Sequence, residues 1–341
     1  METTVENPAS TSEVSTALRS KAPVFVLGCP RSGTTVLYHM LLSAGNFAVY
    51  RAESNVFSVL QPRFGNLRSE SNRRELLRYW IKSKLFQVSG LDASAISEKV
   101  LRECRSPGDF LRIVMEETAR AQGVERWADC TPDHLLYIPQ IKREIPNALI
   151  VHIIRDGRDV ALSYAKQGWA HPLPWDRNQQ LAVAALYWEW IVSHGREYGR
   201  ALGQDYYELH YEDLVERPRE TLCGLAEFVG QDLDYDRIRS VGVGSVSTPN
   251  SSFSAGSDFR PVRRWAEQMS PKQLSSCEEL IGSFLTAVGY PIDTQPTATF
   301  SQKKMRSTYL PWFSARHYLK SRTPLGRLAR IERMELSDNE S

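Results

Sequence analysis

Apolar and polar positions alternate along the chain in a repeated strand-then-helix order. Residues 23–28 (PVFVLG) are apolar or small throughout, and residues 148–154 (ALIVHII) are apolar except for His152. Unbroken runs of this length suit parallel strands buried on both faces. Each run ends in a short glycine-containing turn, CPRSG and RDGRD, and enters a helical pattern, at Thr34–Ser43 and Val160–Ala165. Residues 206–211 (YYELHY) alternate as a strand does, and Phe47–Tyr50 and Arg126–Asp129 read as two shorter strands. Residues 51–123 are mostly helical in pattern, Thr131-Pro132 opens another helix, Gln179–Ala201 is a long one, and Pro218–Val229 carries proline at its start. This order predicts an α/β protein, a three-layer α/β/α domain around a central parallel sheet. Residues 1–21 read as a flexible tail, 22–295 as the domain and 296–341 as a basic extension. The Gly/Ser-rich residues 241–258 are predicted to form a mobile loop.

Composition narrows the classes. With 42% hydrophobic and 24% charged residues in 341, the chain resembles ordinary soluble proteins, which excludes disordered and fibrous classes. Its 42 basic and 40 acidic residues leave a net charge of +2, too balanced for a general nucleic-acid or membrane binder, although a local patch fits. No apolar run reaches the roughly 18 residues a membrane span needs. The N-terminus lacks the basic start and apolar run of a secretory signal, and the five cysteines form no CxxC pair, so a reduced cytoplasmic protein is expected, with no zinc site. Ser301–Arg333 stands apart: nine basic residues, one acidic residue (Glu332), and Tyr309, Trp312, Phe313 and Tyr318 among them. That composition fits a membrane-surface or partner-binding segment, and equally a solvated helix docked on the body.

The first turn carries candidate chemistry. Gly28-x4-Gly33-Thr34-Thr35 has the spacing of a phosphate-binding loop, in which backbone N–H groups and a helix N-terminus face an anion. ATP and GTP hydrolases place lysine after the second glycine. Here Thr34 stands there, and the cation is Arg31, inside the loop. No acidic residue suited to Mg2+ closes a strand, since Arg155 comes between Ile154 and Asp156. The loop therefore reads as an anion cradle without metal-dependent phosphoryl transfer, the plain alternative being a glycine turn capped by Ser32 or Thr34.

PRSGTT after a buried strand resembles the 5′-phosphosulfate loop of sulfotransferases that use 3′-phosphoadenosine 5′-phosphosulfate (PAPS). Arg155-Asp156-Gly157-Arg158-Asp159-Val160-Ala161-Leu162-Ser163 resembles the same family's 3′-phosphate motif, a strand-terminal arginine with a serine eight residues on. The resemblance covers about residues 22–290, including YEDLVERP at Tyr211–Pro218 and RRWAEQMSP at Arg263–Pro271. It is closer to the tyrosine-sulfating and bacterial type than to the phenol type, which has lysine in place of Arg31. It implies a sulfotransferase with PAPS as donor, a hydroxyl-bearing acceptor and no metal. Arg31, Ser32, Gly33, Thr34 and Thr35 are then expected at the 5′ end, Arg155 and Ser163 at the 3′-phosphate, and Tyr211, Arg264 and Trp265 around the nucleotide. Arg158 reads either as a ligand or as a solvated helix-start cation.

Transfer to a hydroxyl calls for a general base. Glu53, 22 residues beyond Arg31, lies near the distance at which the tyrosine-sulfating relatives place theirs; His134, in DCTPDH, is the second candidate and the natural neutral-pH base. Relatives usually carry lysine before this Thr-Pro, where the present chain has Cys130. Either Arg31 acts alone or another cation, such as Arg126, Lys142 or a C-terminal one, substitutes; Cys130 itself reads as a packing residue. Tyr187 and Trp190 share a helix face, as core or as an acceptor wall, while Trp188 points elsewhere. The stiff loop His171–Trp175 reads as solvent-facing or as a gate. The rivals are a P-loop kinase, opposed by Thr34, and a PAPS-binding protein without turnover, favoured by Cys130.

Overall fold

The computed structural model describes residues 18–243, 261–293 and 299–328. Most of the two segments expected to be mobile, 1–21 and 241–258, lies outside the described residues. Four parallel strands form the sheet: β1 (Val24–Leu27), β2 (Ala128–Asp129), β3 (Leu149–Ile154) and β4 (Tyr206–His210), in the order β2-β1-β3-β4. Residue alternation sorts the side chains into two layers. Val24, Val26, Leu149, Val151 and Ile153 pack with helix α1 (Thr34–Ser43) and the helices of residues 211–241. Phe25, Leu27, Ile150 and Ile154 pack on the other face with α2 (Gly157–Lys166), α3 (Gln180–Arg200), α4 (Pro271–Ala287) and α5 (Phe300–Arg322). The expected three-layer α/β/α arrangement follows from strands that are apolar on both sides.

Phe47–Tyr50 is not a strand. Only Phe47 pairs, as an isolated parallel bridge to Arg126. Beyond it, side chains take the backbone groups a ladder would use: Gln122 bonds both the N–H and the carbonyl of Val49, and the Tyr38 hydroxyl donates to the Tyr50 carbonyl at 2.6 Å.

From β1 the chain runs to β2 on one side and then crosses to β3 on the other, so the sheet order reverses between β1 and β3. In open parallel sheets, ligands lie beyond the carboxyl ends of the strands at that reversal. The residues that leave β1 and β3 there are Gly28 and Arg155. The C-terminal extension folds as α5, which opens on a capping box between Thr299 and Gln302 and buries Tyr309 and Phe313, four residues apart, against the body.

Candidate active site at the carboxyl edge of the sheet

The loop after β1 is shaped by backbone conformation. A turn bond from the Ser32 N–H to the Cys29 carbonyl (3.0 Å) tightens it, and Gly33 caps α1 at φ 94° with no side-chain cap. Arg31 is also left-handed, at φ 77°, an uncommon conformation for a residue with a Cβ. Its carbonyl accepts a bond from Arg155 Nη1 (3.2 Å), and its own Nε donates to the Ser163 hydroxyl (3.0 Å). Arg31 and Arg155, 124 residues apart in sequence, are thus in direct contact, and Ser163 of the second motif also meets Arg31. The first turn of α1 holds no acidic residue, so its amides and dipole favour an anion.

Arg155 is buried at 7% exposure. Its Nη2 donates to the Pro261 carbonyl (2.6 Å) and to Asp159 (3.4 Å), and its guanidinium lies 4.5 Å over the Tyr211 ring. The same ring also abuts Gly33, where a Cβ would stand 2.3 Å from Tyr211 Cδ2. Tyr211 therefore packs against both motifs and acts as a spacer that limits how closely Gly33 can approach. Behind Arg155, the Trp188 indole donates to its carbonyl (3.1 Å) and lies flush on Gly157, where a Cβ would meet the ring at 2.4 Å. Trp188 is a positioning residue that its helical spacing did not reveal.

Beyond β4, Trp265 is buried, with its backbone N–H on Asp159 (2.9 Å) and the Arg158 guanidinium 3.7 Å from its ring. Arg264 precedes it, and its charge reaches Tyr211, whose hydroxyl burial pushes up and Arg155 and Arg264 draw down. Arg260 lies outside the described residues.

Arg158 is neither a solvated cation nor a ligand. It is buried, bonded twice to Asp156 (3.1 and 2.8 Å), to Glu278 (2.6 Å) and to the Pro291 carbonyl (2.9 Å). Breaking such a pair leaves buried charge uncompensated, which typically costs about 3–5 kcal/mol. Two proposed substitutes for the missing lysine are also structural. Arg126 is spent on the carbonyls of Arg19, Ala22 and Val229 and on Gln231, before β2 begins. Lys142 binds the carbonyls of Pro146 and Ala148 and the carboxylate of Asp205, before β3 begins. Both sit at the opposite edge of the sheet from Arg31.

Cys130 follows β2, shares a hydrogen bond with the Thr34 hydroxyl, and has its thiol pushed well up by burial and by the nearby Glu53 and Asp129 charges. It packs as a neutral group. The same coupling puts Glu53, which is exposed, within electrostatic reach of the Cys130 thiol.

His134 does not lie open to an acceptor. It is fully buried, Nδ1 donating to Asp129 (2.9 Å) and Nε2 accepting the Phe57 N–H (3.3 Å), so the partners fix its tautomer and engage both nitrogens. Asp129 also accepts from the Thr131 hydroxyl (3.2 Å), which in turn meets the Asn55 N–H (3.4 Å) and the Ser54 hydroxyl (3.3 Å). This buried lattice pins residues 54–57, directly after Glu53, through a left-handed Asn55 (φ 53°) into a π-helical turn, Val56–Leu60. Asp129 was missed from sequence; its place two residues before Thr131 and five before His134 was the only signal.

Tyr187 and Trp190 meet at 5.6 Å and both pack on Phe313 of α5, while Tyr187 stacks on Tyr164, which meets Trp169. Trp169 lies under the Arg31 guanidinium at 5.8 Å. The loop after it is docked on α5, where Tyr309 binds Leu173 and Asp176.

Two buried polar atoms of the cradle, Ser32 Oγ and Arg155 Nε, have no hydrogen-bond partner among the described residues. Unpartnered buried donors are uncommon in folded proteins. Together with an acid-free start to α1, they fit a phosphate-bearing ligand at each motif. The parallel sheet, its flanking helices and the loop after β1 define an α/β protein of the phosphate-loop class. Residues 23–235 match the sulfotransferase family model, and the chain belongs to that family. An uncharacterised protein of Aquifex aeolicus (strain VF5) is 28% identical over 220 residues, 61% of this chain; the chain spans about a quarter (25%) of that relative's length. The sulfotransferase domain of the curacin biosynthetic pathway is similar in fold, with a TM-score of 0.51 at 16% identity over 80% of this chain and 98% of that one. The sulfotransferase domain of the Synechococcus PCC 7002 olefin synthase gives 0.47 at 18%, over 75% and 93%.

Proposed function

We propose that the protein transfers a sulfuryl group from PAPS to an acceptor hydroxyl, with residues 22–295 as the transferring unit and 296–341 as an appended segment. The observation that carries this reading is the contact between the two motifs, Arg155 Nη1 on the Arg31 carbonyl and Arg31 Nε on Ser163. Bound PAPS supplies an activated sulfate whose leaving group is a phosphate. The residues of this chain do the rest. Arg155 and Ser163 hold the 3′-phosphate; Ser163 accepts from Arg31 and keeps its hydroxyl proton to donate. Arg31 and the amides of Ser32–Thr35 stabilise charge that develops on the leaving oxygen, the use to which oriented donors are best suited. Thr34 contributes its amide, since Cys130 engages its hydroxyl. Tyr211, Arg264 and Trp265 frame the nucleotide. Glu53, exposed at the end of a pinned loop, takes the acceptor's proton; His134 holds that loop.

The test is calorimetric titration with adenosine 3′,5′-bisphosphate, followed by incubation with radiolabelled PAPS and a mixed acceptor extract. The wild type binds the bisphosphate and labels an acceptor; Glu53→Gln binds as well and does not transfer. A fully active Glu53→Gln removes the base, and absence of bisphosphate binding removes the donor. Mg-ATP-dependent transfer instead would make the protein a kinase, which Thr34 in the lysine position opposes. Binding without transfer to any acceptor would make it a PAPS-binding protein without turnover.

A further inference from the structure

Ten large hydrophobic side chains are exposed among the described residues, and six of them (Phe300, Trp312, Tyr318, Leu319, Leu325 and Leu328) lie in the last 29 described positions, 300–328. The most open are Phe300 at 85% and Leu328 at 77%. Between Thr299 and Leu328 the sequence contains no Asp or Glu, and acidic residues resume at Glu332, outside the described residues. Lys303, Lys304, Arg316, Arg322 and Arg327 are exposed among the apolar groups. Arg306, by contrast, is turned inward onto both oxygens of Glu189 (2.6 Å each).

The two faces of α5 have separate tasks. The inner one is fixed to the body by Tyr309, Phe313 and the Arg306–Glu189 pair. On the outer one, Trp312, Arg316 and Leu319 recur at helical spacing, so apolar and cationic groups are interleaved on one stripe. The turn Pro324–Leu328 is held by Arg63, which donates to the Arg327 carbonyl, and by Gly326, where a Cβ would lie 2.8 Å from Pro62. The exposed groups are therefore presented by a docked, rigid element. A polyanion needs only the cations; exposed tryptophan, tyrosine and leucine between them match the boundary of a bilayer, where rings and alkyl groups sit at headgroup depth.

We propose that the outer face of α5, with the turn 324–328, docks on an anionic membrane surface, with the aromatic and aliphatic side chains inserted between headgroups and the five cations on lipid phosphates and carboxylates. The occupant is a bilayer rich in acidic lipid. The inference is independent of the transfer reaction, and its test needs no acceptor.

The full chain is co-sedimented with phosphatidylcholine vesicles and with vesicles carrying about one third phosphatidylserine, at low and high salt. Binding to the anionic vesicles only, weakened by salt, is expected. The triple variant Lys304→Glu, Arg316→Glu, Arg322→Glu should bind at least about a hundredfold more weakly, since each basic residue near an acidic leaflet contributes several-fold. The pair Trp312→Ala, Leu319→Ala should weaken binding about tenfold or more at both salt concentrations, because apolar insertion is not screened. All substituted side chains are exposed, and an unchanged melting temperature checks the fold. Four results overturn the proposal, the first three being no preference for anionic vesicles, binding that survives the triple variant, and tight binding to polyuridylate that the Trp312/Leu319 pair leaves untouched, which would make the face a polyanion site. A concentration-dependent dimer abolished by the Trp312/Leu319 pair, without vesicle binding, would assign the face to a second copy and overturn it as well.

Discussion

Gly33→Ala tests the spacing of the two motifs with a single methyl group. At φ 94° an L-residue is disfavoured by about 1–2 kcal/mol. The added Cβ would also stand 2.3 Å and 2.6 Å from two atoms of the Tyr211 ring. The ring cannot retreat, because it is buried at 2% exposure with the Arg155 guanidinium 4.5 Å over its face. Overpacking of this kind costs about 1–3 kcal/mol. The loop must yield, carrying Arg31 and the start of α1 with it, at a combined cost of about 2–5 kcal/mol. Each 1.4 kcal/mol or so of that sum expressed in binding weakens the bisphosphate tenfold. Titration with adenosine 3′,5′-bisphosphate should therefore show a Kd raised about ten- to a hundredfold, with a lowered melting temperature. Because the clash is with one ring, Gly33→Ala and Tyr211→Ala should be non-additive: the double variant binds better than the sum of the singles requires, by about 1 kcal/mol or more. Unchanged affinity and melting in Gly33→Ala, or strict additivity in the cycle, would refute the spacer role of Tyr211.

Two further outcomes follow from buried titratable groups. Burial pushes the thiols of Cys29, Cys104, Cys130 and Cys277 well up, to about 12 for Cys104 and Cys277, whereas Cys223 is exposed. Iodoacetamide at mildly alkaline pH should add one label to the native chain, at Cys223 by peptide mapping; labelling of Cys130 would contradict its packing beneath Thr34. Glu212 accepts the Asp156 N–H (3.1 Å) and the Tyr290 hydroxyl (2.7 Å), and burial pushes its carboxyl up to about 7. Raised above its unfolded value, this acid stabilises the fold while protonated. Its contribution is fully present below the unfolded pKa near 4.5 and is lost as pH rises to 7, by about 3 kcal/mol in all. Denaturant titrations of Glu212→Gln should show a flatter pH dependence across that window than the wild type, and parallel curves would exclude the assignment.

The parts of the site that lie next to a strand end were legible in the sequence; those made by tertiary contact were not. PVFVLG and ALIVHII announce two buried strands because only such strands are apolar on both faces, and a glycine turn after each marks the reversal edge. Arg155 is the next residue after one of them, and the structure sets it against the Arg31 carbonyl. Arg158 stands in the same motif, yet its partners include Glu278 and Pro291, more than a hundred residues away, and nothing local distinguishes a buried hub from a solvated cation. His134 misled for a related reason. Its neutral-range chemistry is visible in the sequence, whereas the Phe57 N–H that occupies its second nitrogen comes from 77 residues upstream. Phe47–Tyr50 has the pattern of a strand, but register is decided by competing partners, and there Gln122 and Tyr38 supply them.

In the proposed reading, Cys130 at the position where the resemblance expects lysine concentrates the work on Arg31. Arg126 and Lys142 are bonded at the far edge of the sheet, and Arg158 is neutralised by Asp156 and Glu278. Arg31 remains at the leaving-group end of the proposed reaction, and it is held by two bonds from the other motif: its carbonyl by Arg155 and its Nε by Ser163. A left-handed backbone persists at such a site only when its surroundings over-determine it. In the proposed reading the groups that recognise the 3′-phosphate are therefore also those that aim the cation at the 5′ end. A donor lacking the 3′-phosphate would then forfeit more than one ionic contact, because Arg155 and Ser163, which hold the Arg31 turn, would lack the further restraint the ligand adds. Discrimination against adenosine 5′-phosphosulfate should accordingly appear in the transfer rate as well as in binding, as expected when remote binding energy organises the reacting end.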